Sequence, residues 1–519
     1  MMRKFTQLFT LAFVATVASD PLAHAKATDS LTGLEEYIQD GMADWEIPGL
    51  AIAIVHEDEV IFSRGFGTLR LGENIPVDEH TLFGVASTTK AMTAAALAML
   101  VDEGKLDWDD RVIDHMPEFR LSDPWVTQEV RVRDLLTHRV GVGRMTGNRL
   151  QFMNEAPREK IIHQMRYHEF EQPFRSNYVY SNVMYSVAGE LIPAITGKSW
   201  DQFIAERLFA PLGMDRSNTS ITQLDGNNNA WPHQEIRGDV VEIPRRNFDN
   251  VGPSASVNSS VHDMAQWMRL QLGEPGVFEG ERLISETQMR ETHQPQIATG
   301  RDDHASPIRA YGLGWSLGEH RGYSIAQHGG ATDGMNTQLL LVPKLDLGVV
   351  VVSNLFNNFR LALAKEVVDR IAGLESKDWH EYYRDRYLAR FEEARKERER
   401  IHSARQESTR PSVDLSDFEG KYFDPLYQTV EVFSPGDGRL ALRFWDSDEH
   451  IADLEHWHHD TFRAHWRNPA RREKFVHFTL DEDGDPDTLK VNFTLRPAVL
   501  QVGLYPSGYQ RKVRFERQQ

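Results

Sequence analysis

Behind Ser87-Thr88-Thr89-Lys90 runs a segment, Ala91 to Leu100, that holds alanine, methionine and leucine and only one polar residue, Thr93. Such residues form helix readily, and a helix apolar on all sides has to be buried. Ser87 and Lys90 therefore sit at the start of a buried helix. Three residues apart, they share one face about a turn from each other. That spacing brings a lysine nitrogen within hydrogen-bond reach of a serine oxygen. A serine hydroxyl is a weak nucleophile until a base takes its proton, and a lysine is a base only where burial or a neighbour lowers its pKa. The helix start adds N–H groups and a positive dipole end, which suit a developing oxyanion. Alone, the tetrapeptide fits a solvated helix start with Ser87 as cap better than it fits a catalytic pair, because four-residue patterns recur by chance.

Two further segments decide for the chemical reading. Tyr180-Ser181-Asn182 precedes the helical run Val183 to Ile195, and His328-Gly329-Gly330 follows the stretch Tyr323 to Gln327, ahead of the strand-like run Gln338 to Val342. Together with Ser87-Thr88-Thr89-Lys90 they resemble the active-site motifs of the serine β-lactamase and DD-peptidase superfamily, in its class C-like branch: S-x-x-K, then Y-x-N, then K-T-G or H-x-G. The order agrees, and the first two motifs stand about 90 residues apart. Ile47 to Val55 resembles the family's entry strand, and Leu106-Asp107-Trp108-Asp109-Asp110-Arg111-Val112 its "LDDPV" turn. Asp134 to Gly141 resembles its "LLTHTSG" segment. Pro211-Leu212-Gly213-Met214 and Tyr311-Gly312-Leu313-Gly314-Trp315 also fit. The likeness spans roughly residues 32 to 370.

The resemblance implies a mixed α/β fold, an antiparallel sheet flanked by helices with a helical subdomain. It also implies an acyl-enzyme at Ser87. Lys90 and Tyr180 share the base role, with either able to take the proton. Asn182 binds a substrate carbonyl or steadies Lys90. His328 replaces the usual lysine of the third motif, and the oxyanion hole falls at the N–H groups of Ser87 and Ala331, beside Gly329 and Gly330. A K-T-G triplet would supply a cation and a hydroxyl for a β-lactam carboxylate. Here imidazole is mostly neutral near neutral pH unless a partner raises its pKa, and Gly329 has no hydroxyl. A peptidase or amidase on small peptides, D-amino-acid-containing ones among them, is thus expected ahead of a carboxylesterase or β-lactamase on the same site. A non-enzymatic binder would have no need of Ser87, Lys90 and Tyr180 together. A titrating His328 should make activity depend on pH in the neutral range.

At 519 residues the chain is long enough for two or three domains. A net charge of −19 argues against nucleic acid and against a stable anionic membrane partner. No dinucleotide fingerprint or P-loop implies a cofactor. Met1-Met2-Arg3-Lys4, the apolar stretch Phe5 to Ser19 and Ala23-His24-Ala25 read as a cleavable export signal over residues 1–25, cut after Ala25. This predicts a periplasmic or secreted enzyme. The sequence contains no cysteine, so neither a lipoprotein anchor nor a disulfide is available.

Residues 26–375 form the expected catalytic domain, with late strands (Thr337 to Val342, Gly348 to Ser353) able to pair with early ones (Ala51 to Val55, Val60 to Gly67) and a helix over Leu31 to Trp45. Residues 376–411 read as a linker helix with one aromatic face docked, through Trp379, Tyr382, Tyr383, Tyr387, Leu388 and Phe391. Within residues 412–519, Arg439 to Phe444 and Leu489 to Leu495 alternate with period two, and Gly436-Asp437-Gly438 and Asp483-Gly484-Asp485 mark hairpin turns. That stretch resembles the small lipocalin-like barrel found after some superfamily catalytic domains. His456, His458 and His459 near Asp460 lack a second ligand set for zinc. Asp481 to Asp487 reads as a hairpin turn and not a calcium loop. Asp109-Asp110 reads as a structural turn, and no metal is expected.

Overall fold

The computed structural model describes residues 27–143, 156–236, 238–302 and 306–518 apart from positions 437, 446, 469–470, 472 and 493–511. The expected leader lies outside the described residues, as does Asp437 of the first barrel turn. No helix among the described residues is long and apolar enough to cross a membrane.

An eight-stranded antiparallel sheet forms the spine. Its strands are β1 (Gly49–His56), β2 (Glu59–Gly67), β3 (Ile297–Asp302), β4 (Ser306–Tyr311), β5 (Ser316–His320), β6 (Tyr323–Thr332), β7 (Met335–Val342) and β8 (Leu347–Ser353). They lie in the order β2-β1-β8-β7-β6-β5-β4-β3. The early and late strands do pair: Ile52 sits opposite Val351 and Ala53 opposite Val350. Alternation along β1 sends its side chains to two faces. Leu50, Ile52 and Ile54 meet helices α1 (Leu34–Asp44) and α5 (Phe359–Ile371) through Leu34, Ile38, Leu363 and Val367. Ala51, Ala53 and Val55 face the helical side, where α2 (Thr89–Asp102), α3 (Asn182–Thr196) and α4 (Val261–Gln271) pack. Every residue of α2 from Thr89 to Leu100 is buried, as an all-apolar helix requires.

The third motif lies inside β6, which continues through His328-Gly329-Gly330 to Thr332 before turning into β7. The sequence places the triplet after a strand, because glycine pairs read as breaks. Ladder bonds to β7, with Gly330 opposite Thr337, hold it extended.

Helix α6 (Trp379–Ser403) docks on the catalytic domain by its first turns. Trp379 and Tyr383 are buried, and Trp379 Nε1 donates to Asp369 at 2.8 Å. Leu388 and Phe391 are exposed, against the expected apolar face, since the helix has run past the sheet by then.

Beyond it, β9 (Gly420–Asp424) to β16 (Lys512–Arg517) close a separate eight-stranded barrel in sequential order, sealed where Tyr422 pairs Arg517. Its interior is filled by rings: Phe418 caps one end at 4.6 Å from Phe478, with Phe444, Phe462 and Phe515 beside them. The histidine trio ties the barrel to the segment just after α6: His459 Nε2 meets Gln406 Oε1 at 2.7 Å and His458 Nδ1 accepts the Gln406 N–H. Asp481 Oδ1 accepts the N–H groups of Asp483 and Asp485 within its hairpin. Asp109 pairs Arg133 and Asp110 pairs His115, so that dyad braces a turn.

Candidate active site

Residues Ala86–Thr88 form one turn of 3-10 helix ahead of α2, with Ala86 in the left-handed region at φ 52°. A non-glycine residue held there marks backbone constrained by its surroundings. The turn presents Ser87 at the end of the helix while Lys90, wholly buried, points back along it. Lys90 Nζ lies 3.2 Å from Ser87 Oγ, 2.8 Å from Asn182 Oδ1 and 2.8 Å from the Ser254 carbonyl oxygen. An ammonium has three N–H donors and no acceptor, and here it has three acceptors. The Tyr180 hydroxyl is 2.8 Å from Ser87 Oγ, and the ammonium lies 4.8 Å from the Tyr180 ring centre. The first two motifs therefore converge on one serine oxygen across 93 residues of chain.

The Ser254 carbonyl carries no sequence signature. Its position follows from Thr93, the one polar residue in the apolar run. Thr93 Oγ1 donates to the Pro253 carbonyl at 2.7 Å and accepts from Trp200 Nε1 at 3.0 Å, fixing the Gly252–Ala255 turn against α2. That lone threonine was the available clue.

Strand β6 passes close to the nucleophile. A Cβ on Gly330 would meet the Val85 carbonyl oxygen at 2.2 Å and the Ser87 nitrogen at 3.2 Å, so only glycine fits. Alternation then turns position 329 to the other face: a side chain there would grow toward Gln338 Oε1, 3.5 Å away, and not toward Ser87. Gly329 thus offers the site backbone alone. Ala331 follows at the exposed rim.

His328 is buried and its ring is fully committed. Nδ1 sits 2.8 Å from the Gly329 carbonyl oxygen, which requires the proton on Nδ1; Nε2 then accepts from the Tyr311 hydroxyl at 2.8 Å. Burial first, and the Lys90 charge second, push its pKa down to about 3. The expected titration in the neutral range is corrected: burial and the Lys90 charge disfavour the imidazolium, and both ring nitrogens are already committed. Tyr311, whose own pKa burial raises well above the ordinary value, carried no assigned role in its sequence motif.

At the rim, Arg246 pairs Asp333 at 3.2 Å, two residues beyond Ala331, within electrostatic reach of Glu449 and Arg471 of the barrel. Gln428 of the barrel donates to Gln164 at 3.3 Å, and one apolar cluster runs through both domains.

A serine held by a lysine and a tyrosine on this sheet-and-helix scaffold defines a serine hydrolase. The chain belongs to the beta-lactamase family, whose model it matches over residues 34–373; residues 404–502 match a domain of unknown function, DUF3471. It is 28% identical to the unguisins hydrolase ungD' of Aspergillus campestris (strain IBT 28561) over 429 residues, 76% of each chain. It is 26% identical to protein flp of Staphylococcus aureus (strain MW2), covering 64% of each. Among solved structures, an octameric penicillin-binding protein homologue from Pyrococcus abyssi superposes with a TM-score of 0.57 at 20% identity, over 94% of this chain and 100% of that one. A D-stereospecific amidohydrolase from Streptomyces sp. does so with 0.51 at 19%, over 67% and 97%.

Proposed function

We propose that the protein is an exported peptidase or amidase that opens small peptides, D-amino-acid-containing ones among them, through an acyl-enzyme at Ser87. The observation that carries this is the convergence of Lys90 and Tyr180 on one serine oxygen. We assign Lys90 the ammonium form, with Ser87 Oγ, Asn182 Oδ1 and the Ser254 carbonyl around its nitrogen, and the neighbouring Tyr180 phenolate the base role. The Tyr180 phenolate, ionised beside the Lys90 ammonium, takes the Ser87 O–H proton as Oγ bonds to the substrate carbonyl carbon and the carbonyl π electrons move onto oxygen. The oxyanion faces the N–H groups of Ser87 and Ala331, each such donor typically contributing about 3 kcal/mol in the transition state. On collapse the C–N bond breaks and the amine leaves with the Tyr180 proton. Water then gives its proton to the regenerated phenolate and attacks the acyl carbon, and the C–Oγ bond breaks with the proton returning to Ser87, which releases the acid.

The neutral, committed His328 offers no cation for a β-lactam carboxylate, which favours peptides over penicillins. The hydrolase name of the curated relative and the shared fold of a D-stereospecific amidohydrolase support the same choice. The test is intact-mass labelling with a fluorophosphonate and with a penicillin, then turnover of D- and L-aminoacyl amides and matched esters. Labelling at Ser87 with turnover of the amides is expected, and Ser87→Ala should abolish both while leaving the melt unchanged. Hydrolysis by folded Ser87→Ala protein would overturn the mechanism, and turnover of esters alone would make the enzyme an esterase.

A further inference from the structure

The segment Asp134 to Gly141 has no part in the chemistry above, yet it reaches the centre of the site. Asp134 is fully buried and binds two guanidiniums, Arg139 at 2.5 Å and Arg175 at 2.6 Å. Those arginines belong to two stretches of chain that run side by side. The Arg175 N–H donates to the Arg139 carbonyl at 2.7 Å, and the Val179 N–H to the His138 carbonyl at 2.7 Å. The last tie is made by a side chain: the Ser181 N–H donates to His138 Nδ1 at 3.0 Å. Ser181 stands between Tyr180 and Asn182, the two residues of that motif whose side chains reach Ser87 and Lys90.

The His138 ring also lies in the middle of four phenols. Its centroid is 4.3 Å from Tyr180, 4.7 Å from Tyr311, 5.2 Å from Tyr185 and 5.5 Å from Tyr178. It touches Tyr311, which holds His328, and it backs the Tyr180 ring on which Lys90 acts. His138 itself sits at φ 58°, in the left-handed region, uncommon for residues other than glycine although histidine enters it more readily than most. Such strain persists where surrounding contacts over-determine a residue, and it concentrates at functional sites.

We propose that His138 is a positioning residue for Tyr180: its Nδ1 anchors the Ser181 N–H and its ring sets the phenol against Ser87, with no contact to substrate. The proposal rests on the acyl-enzyme reading above. An acceptor at Nδ1 carries no proton, so the imidazole works as a neutral strut. Loss of the strut lets the phenol drift, and a displacement near one ångström in a proton-transfer geometry costs on the order of a hundredfold in rate. Binding of a probe should change little, because His138 is buried against the Tyr180 ring.

The test uses the full chain and fluorophosphonate acylation of Ser87, split into the limiting rate and the half-saturating concentration. Two variants keep the left-handed backbone open. His138→Asn retains an acceptor near the position of Nδ1 in a residue that tolerates positive φ, and His138→Gly removes both acceptor and ring. His138→Gly should lose about a hundredfold in limiting rate with the half-saturating concentration within about threefold, and His138→Asn should recover to within about tenfold of wild type. A folded His138→Gly protein acylating within about threefold of wild type would overturn the proposal, as would an Asn variant no faster than the Gly variant. If the glycine variant melts already unfolded, the asparagine variant decides alone: recovery within about tenfold supports the role and a hundredfold loss in folded protein refutes it. Ser87→Ala is the parallel control. Labelling that survives it removes the acyl-enzyme reading itself, whatever the His138 variants do.

Discussion

His328 should make the native state sensitive to acid by an amount that can be worked out. Its ordinary pKa is 6.5, and burial beside Lys90 pushes it down to about 3 in the folded protein. A depressed histidine favours the neutral form, so the unfolded chain takes up a proton below 6.5 while the native state does not until near 3. The stability it contributes is present above 6.5 and drains away as pH falls through that window. Each unit is worth about 1.4 kcal/mol, so lowering the pH from about 7.5 to about 5 should remove about 2 kcal/mol through this residue. Other buried histidines behave alike, with His293 held at about 4 and His450 at about 3, mainly by burial. The measurement is therefore a difference. Urea unfolding followed by tryptophan fluorescence, at both pH values, compares wild type with His328→Asn, which keeps an acceptor for Tyr311. Wild type should lose about 2 kcal/mol more than the variant over that interval. Parallel losses would mean that the native imidazole titrates normally, and the committed ring geometry would then be wrong. The same neutrality predicts that no His328 ionisation appears in the activity profile above about pH 5.

Gly330→Ala should abolish acylation, because its Cβ would sit 2.2 Å from the Val85 carbonyl oxygen and push β6 off the nucleophile; a labelled, active alanine variant would show that the strand can move. Asp134→Asn leaves Arg139 and Arg175 without their carboxylate and should cost about 3 kcal/mol, the low end for a broken buried pair because Arg175 is partly exposed, read as a lowered melt. Truncation after about Arg410 should leave Ser87 reactive toward a small probe, lower the stability because an apolar cluster spans both domains, and raise relative activity on larger substrates because the barrel borders the rim near Asp333. Loss of labelling in a truncated protein that remains folded would show that the barrel serves the site directly.

What the sequence determines here is local. Thr89 to Leu100 is apolar enough that its burial follows from the residues alone, and the three-residue spacing of Ser87 and Lys90 puts both on one face. The boundaries of α5, Phe359–Ile371, are legible in the same way, since period and flanking residues set them. The alternation of Arg439 to Phe444 likewise marks a strand, observed at Leu440–Phe444, before any partner is known. Tertiary structure decides whatever depends on a partner far along the chain. The His328 ring could have been a cation; Tyr311 and the surrounding burial make it a neutral acceptor. Spacing alone brings Lys90 to Ser87; the fold adds Asn182 Oδ1 and, through Thr93 and Pro253, the Ser254 carbonyl as further partners of its nitrogen. Leu388 and Phe391 carry helical spacing yet stay exposed, because a periodic face is buried only where something stands opposite it. Spacing along a chain fixes the direction in which a side chain leaves the backbone. The charge it carries and the proton it can move are set by the neighbours that the fold brings within about 3 Å.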